Sequence, residues 1–117
     1  MMTENPALTK SFDFSLKMVS LCRKLIYEDR EFVLGKQLLR CSTSIGANLE
    51  EAIGGFSRND FKYKISIAYK EARETHYWIR LLMRSKILSD KEGCSALKDL
   101  EELLKILTAT LKTLNKA

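Results

Sequence analysis

The sequence predicts an all-α fold, an antiparallel up-down-up-down four-helix bundle, and three observations carry that prediction. Apolar residues recur at steps of three and four along most of the chain, the spacing that lines one face of a helix. Only five glycines and one proline interrupt 117 residues, so breaks are few. The segments between periodic stretches are short, about three to five residues, which favours antiparallel neighbours. A chain of this length is expected to form one domain, residues 1–117, with a core of its own.

Residues 1–10 lack a clear period and are expected to be a frayed lead-in. From Ser11, the row Phe12, Leu16, Val19, Cys22 or Arg23, and Ile26 predicts a first helix over about 11–28, with that row as its apolar face. Glu28-Asp29-Arg30-Glu31 reads as a turn. The second helix is expected over about 31–53. Its core stripe is Leu34, Leu38, Cys41, Ile45, Leu49 and Ala52, and the flank Leu39, Ser42, Gly46 and Ile53 is low in bulk, suited to close packing. On the other flank lies a polar row, Gln37, Arg40, Ser44, Asn48 and Glu51. Gly54-Gly55 ends the helix, with a glycine expected in the left-handed conformation.

Ser57 can cap a third helix over about 58–86, with Asp60 completing an imperfect capping box. Ser89 and Glu92 form a Ser-x-x-Glu capping box for a fourth helix over about 90–114. There Leu97, Leu100, Leu104, Leu107, Leu111 and Leu114 alternate steps of three and four, a seam expected to seal the core.

Projected at 100° per residue, the third helix separates into three stripes. Phe61, Ile65, Ala68, Ala72, Ile79, Leu82 and Met83 form the core stripe. Arg58, Lys62, Lys70, Arg73, Arg80 and Arg84 form a basic stripe beside it, which reads either as a nucleic-acid-binding surface or as a solvated face with Glu71 and Glu74 as local ion-pair partners. Tyr63, Ile67, Trp78 and Leu81 lie further round. A monomeric bundle buries one stripe per helix, so this second apolar stripe points to an oligomer interface, the other reading being a contact with the first helix or a loop.

Composition narrows the functional classes. With 45% hydrophobic and 30% charged residues the chain reads as a soluble globular protein. A formal charge of +5 and a pI near 9.2 permit an acidic partner, although such a surplus is also common in plain soluble domains. Cys22, Cys41 and Cys94 show neither disulfide-framework nor zinc spacing, which fits a reducing cytoplasm. Neither a signal peptide nor an apolar run long enough for a membrane span is present, so a cytoplasmic location without a membrane partner is expected.

No catalytic constellation emerges. A di-metal bundle needs two Glu-x-x-His motifs, and the single histidine, His76, completes none. The same count argues against a histidine-based nucleophilic triad. Ser42, Thr43 and Ser44 sit within a helix rather than on a strained turn, and Gly54-Gly55 fits no phosphate-binding loop. No catalytic residue, metal or cofactor is expected. Asn48 and Glu51, near a core, need partners from Arg40 or a base on another helix, and such a network generally fixes helix register.

The segment Arg40 to Glu51, R-x-S-x-S-I-x-A-N-L-x-E, followed by Ser57-Arg58-x-Asp60-Phe61, Ser66-Ile67-Ala68 and Glu74, resembles the bacterial four-helix-bundle family of 23S rRNA intervening-sequence proteins. That family is similar in turn to the accessory variability determinant of diversity-generating retroelements, a pentameric bundle that works with a reverse transcriptase and nucleic acid. By resemblance Ser44, Ile45, Asn48, Glu51 and Glu74 occupy motif positions, and Arg40, Ser44, Asn48, Glu51 and Glu74 form the expected structural polar network. The chain departs from many members at Glu50, where they carry alanine, and at Tyr69-Lys70-Glu71, where Gly-Ser follows their Ile-Ala. The resemblance implies a non-enzymatic homo-oligomer, a ring of five, that binds RNA or DNA or docks a nucleic-acid enzyme. The alternative is a protein-interaction adaptor without direct nucleic-acid contact.

Overall fold

A computed structural model of the chain describes residues 5–116. The first helix begins earlier than the apolar period suggests. Asn5 Oδ1 accepts from the backbone N–H groups of Ala7 at 2.9 Å and Leu8 at 3.4 Å. Pro6 takes the first helical position, where a missing N–H is no loss. The expected lead-in is therefore helical from Pro6, while its residues 1–4 lie outside the described residues. α1 runs Pro6–Arg23 and continues through one π-helical turn, Lys24–Glu28. α2 (Phe32–Ile53), α3 (Arg58–Arg84) and α4 (Asp90–Asn115) follow.

The helices form the all-α bundle. α1 packs on α2 and α4, α3 packs on the same two helices, and α1 and α3 occupy opposite corners without meeting. The 27 residues of α3 span roughly 40 Å, most of the 46 Å long axis. None of the described helices is long and apolar enough to cross a membrane.

The predicted core stripe of α2 is buried from Leu38 to Ala52, and Ile65, Ala68, Ala72, Ile79 and Leu82 of α3 face it. The low-bulk flank of α2 packs as expected only in its middle, since Leu39 is half-buried and Ile53 is exposed. Ser42 and Gly46 are buried, and a Cβ at Gly46 would stand 3.3 Å from Ser15 Oγ and 3.5 Å from the Ser11 carbonyl oxygen. α1 and α2 thus approach through serine and glycine.

That contact decides which face of α1 is inside, and it overturns the predicted row. Turning Ser11 and Ser15 toward Gly46 carries Phe14, Met18, Leu21, Cys22 and Leu25 into the core. Phe12 and Leu16, assigned to the core from their spacing, are 61% and 57% exposed. Val19 is exposed as well, and only Cys22 and Ile26 of that row are buried. α4 shows a smaller shift. Leu100 and Leu107 are buried with Gly93, Ala96 and Leu103, whereas Leu97, Leu104, Leu111 and Leu114 are half-buried. Gly93 leaves room for Met83, whose side chain occupies the place of a Cβ, and this draws the seam one residue round.

The serine caps form as expected: Ser57 Oγ accepts from the Asp60 N–H at 3.0 Å, and Ser89 Oγ from the Glu92 N–H at 3.1 Å. The helix stops differ. α2 ends at Gly54 with φ −86°, not in the left-handed region. Left-handed backbone falls instead on Arg30 (φ 59°) and Lys86 (φ 67°). At Lys86 it closes α3 as a Schellman motif, with Ile87 N–H donating to Leu82 O at 3.0 Å and Lys86 N–H to Met83 O at 3.1 Å. This ends α3 at Arg84, two residues before the predicted limit.

Candidate nucleic-acid interface

α3 presents its basic stripe along a helix that is uninterrupted from the Ser57 cap to Arg84. Lys70, Arg73, Arg80 and Arg84 are exposed, as is Arg58, and Lys62 is half-buried. Among the described residues none of the six forms an ion pair with a carboxylate. Two of them are held by neutral acceptors. Arg58 donates to the Leu114 carbonyl of α4 at 3.2 Å, and Arg80 Nε donates to His76 Nδ1 at 2.9 Å. Since Nδ1 accepts, Nε2 of His76 carries the proton facing Glu101 of α4 at 3.2 Å. Lys62, Lys70, Arg73 and Arg84 are left to solvent along about 33 Å of helix.

The acids expected to neutralise this stripe are turned the other way. Glu71 and Glu74 face α2, where the Arg40 guanidinium reaches them at 3.2 Å and 2.5 Å. Glu74 also accepts from the Trp78 indole N–H at 2.9 Å. That hydrogen bond, followed by Arg40, holds the Glu74 carboxyl below the ordinary range against the opposing effect of burial. The hydrogen bond to Glu74 raises Arg40 in the same exchange.

The predicted polar network resolves into separate pieces. Arg40 and Glu74 are joined, with Glu71 and Trp78 as members that spacing did not single out. Asn48 donates to the Ser44 carbonyl at 2.8 Å and hydroxyl at 3.0 Å, one turn back on its own helix. Glu51 is bridged to α3 by Lys64 at 2.6 Å, and this hydrogen bond raises the lysine above its ordinary value. Arg40 and Glu51 therefore clamp α2 to α3 at two levels, with the Ser44–Asn48 pair between them.

The predicted interface residues also divide. Tyr63 is 62% exposed and Leu81 is exposed, while Ile67 and Trp78 are half-buried. Trp78 packs on the core and meets Tyr77 edge-on, with ring centroids 5.2 Å apart. Tyr77, which sequence reasoning missed, is 50% exposed and joins the outward patch.

Another basic feature comes from tertiary structure. An open groove of about 910 Å³ between α1 and α4 is flanked by Lys17, Arg23, Lys24, Tyr27 and Lys91. Lys17 is tied to Asp99 and Lys24 to Glu92, so acids neutralise much of its charge. No period within one helix could have revealed this groove, because its residues come from two.

Burial pushes Cys22 up to about 12 and Cys41 up to about 11, while Cys94 is exposed. Among the described residues no three His, Cys, Asp or Glu side chains gather so as to hold a metal ion.

The family model for 23S rRNA-intervening sequence proteins matches residues 3–109. A solved structure from Bacteroides thetaiotaomicron VPI-5482, a protein with unknown function from the S23 ribosomal protein family, is 42% identical, with a TM-score of 0.88. The alignment covers 91% of this chain and 98% of that one. A comparison with curated proteins finds no match.

Proposed function

The chain belongs to the 23S rRNA-intervening sequence protein family, and on that premise we propose that it is a cytoplasmic, non-enzymatic, homo-oligomeric scaffold that binds nucleic acid through α3. The observation that carries the proposal is the basic stripe itself. Lys62, Lys70, Arg73 and Arg84 lie along one helix without a carboxylate partner among the described residues, while Glu71 and Glu74 are committed to Arg40. Cations aligned over about 33 Å match the length of one turn of a nucleic-acid duplex, and each can displace a condensed counterion on meeting a phosphate. The ring of five follows the resemblance to the retroelement determinant, and repetition of the stripe around it would raise avidity.

The test is binding of fluorescein-labelled RNA and DNA duplexes to the full chain, followed by anisotropy. Binding at micromolar protein in 50 mM salt, weakening steeply by 200 mM, is the expected result. Absence of binding at low salt, together with nuclease-resistant capture of a specific protein, would instead favour the adaptor reading.

A further inference from the structure

We propose that the groove between α1 and α4 is a site for a free nucleotide, its cations meeting the phosphates and Tyr27 the base. The site is separate from the α3 stripe, since α1 and α3 do not meet, and it does not rest on strand binding there. It begins with the backbone of α1. At Lys24 the helix widens into a π turn that runs to Glu28, closed by the Asp29 N–H donating to the Lys24 carbonyl at 3.0 Å. Such turns are rare, cost helix geometry, and recur at functional sites. A wider turn advances each residue by less than the 100° of an α-helix, and the neighbours Leu25 and Ile26 are both buried. Ile26 fits against Gly35, where a Cβ would stand 2.7 Å from its Cγ1. With these two turned inward, Lys24, Tyr27 and Glu28 of the same turn line the groove.

At about 910 Å³ the groove falls within the ~300–1,000 Å³ of small-molecule sites. One end is tied across the two helices: Lys17 Nζ donates to Ser95 Oγ at 2.7 Å and to Asp99 at 2.5 Å. These bonds hold α1 and α4 at a fixed spacing, so the groove is formed before a ligand arrives. The other end keeps cations in reserve. Lys24 stands 3.5 Å from Glu92, too long for a strong hydrogen bond, and its ammonium donors stay open to a second acceptor. Arg23 and Lys91 have no carboxylate partner among the described residues. An anion entering here meets Arg23, Lys24 and Lys91 from two helices, against Glu28 and the already paired Glu92.

The uncharged groups select the rest of the ligand. Tyr27 is 71% exposed, and the Arg23 guanidinium lies 6.0 Å from its ring centroid. A planar base laid here meets an aromatic face and a guanidinium plane, both of which stack on bases of any sequence. Ser20 on α1 and Ser95 on α4 line the same groove, and each hydroxyl can donate and accept, as the hydroxyls of a ribose require. A bare phosphate would use the cations alone and leave the ring and the two serines idle. A planar ring, a polyhydroxyl sugar and an anion joined in one molecule of this size are a nucleoside phosphate.

The experiment is calorimetric titration of the full chain with ATP, tripolyphosphate and adenosine in about 50 mM monovalent salt, without divalent metal. ATP is expected to saturate below about 1 mM and to bind more tightly than either fragment. Lys91→Gln should weaken ATP and tripolyphosphate alike, by about two- to fivefold for an exposed charge. Tyr27→Ala should weaken ATP about fivefold or more and leave tripolyphosphate unchanged. Glu28→Gln removes the opposing charge and should tighten ATP by about two- to fivefold, a gain that misfolding cannot imitate. Circular dichroism checks the helices of the other two variants. No ATP binding at about 1 mM overturns the site. Equal affinity for ATP and tripolyphosphate, with no effect of Tyr27→Ala, overturns the nucleotide and leaves only unspecific anion binding. ATP binding that survives Lys91→Gln and Glu28→Gln unaltered, yet is lost in Arg73→Gln with Arg84→Gln, places it on α3 and overturns the groove.

Discussion

Neutralising two cations of the α3 stripe tests electrostatic binding more sharply than deleting the stripe. The perturbation is Arg73→Gln with Arg84→Gln. Both residues are exposed and lack an ion-pair partner among the described residues, so their loss should move stability by no more than about 0.5 kcal/mol. Of the six stripe residues, Arg58 is held by the Leu114 carbonyl and Arg80 by His76, which leaves Lys62, Lys70, Arg73 and Arg84 for phosphates. For a duplex, each phosphate neutralised contributes about −0.9 to the slope of log K against log salt. Four contacts per protomer give a slope near −3.6, or about a 150-fold loss of affinity between 50 and 200 mM salt. The double variant leaves two contacts, a slope near −1.8 and about a 12-fold loss.

The assay is anisotropy of a labelled duplex across that salt range, with monovalent salt alone. Lys98→Gln and Lys105→Gln, exposed positions on α4, serve as the control and should leave the slope unchanged. The double variant should converge with the wild type at high salt and fall furthest below it at low salt. If the variant binds more weakly yet keeps the wild-type slope, the two arginines do not meet phosphates. A wild-type slope near zero would remove the electrostatic reading altogether.

The remaining predictions concern the frame. Glu74→Gln should cost roughly 0.2–1 kcal/mol at pH 7, because a carboxylate with a 37% exposed side chain is screened by solvent. The folded Glu74 value lies below its ordinary 4.5, so the contribution is present above that value and disappears as pH falls through the folded one. Urea midpoints of the two proteins should therefore merge in acid, and a gap persisting at pH 2 would contradict the assignment. Gly46→Leu should destabilise by about 1–3 kcal/mol by forcing α1 away from α2 at Ser11 and Ser15, and unchanged denaturation would mean that the contact yields freely. Lys86→Gly should stabilise by about 0.5–1 kcal/mol by relieving the left-handed backbone at φ 67°, while Lys86→Ala should not; equal behaviour of the two would refute the strain. Of the three thiols, Cys94 alone should react with an aromatic disulfide reagent at pH 8 in the native state, with Cys22 and Cys41 following on unfolding.

Much of this architecture was legible because one helical period maps onto one buried face. The stripe of α2 from Leu38 to Ala52, the cap at Ser57 and the small flank at Ser42 and Gly46 all appear where local chemistry requires them. The start of α1 was legible too, in Asn5-Pro6, but its signal is capping chemistry rather than apolar spacing. Partner choice was not legible. Glu71 and Glu74 lie within reach of the basic stripe on a helical projection, and only the position of α2 determines that Arg40 takes both. The α1–α4 groove depends on the relative placement of two helices in the same way.

α1 shows why periodicity can name a face without saying what covers it. Phe12-Leu16-Val19 and Phe14-Met18-Leu21 have comparable spacing and bulk, so the hydrophobic pattern does not rank them. The choice is made by a feature without hydrophobic signal, the fit of Ser11 and Ser15 against Gly46, because two helix backbones can approach closely only where side chains are small. Once that contact is made, the second row has no place in the bundle, yet keeping Phe12, Leu16 and Tyr27 in water forfeits apolar burial that ordinary polar residues would not offer. A row with the period of a helix seam is thus left on the outside of the bundle, as are Tyr63, Tyr77 and Leu81 of α3, and these exposed apolar residues are the surfaces that the proposed self-association would have to cover.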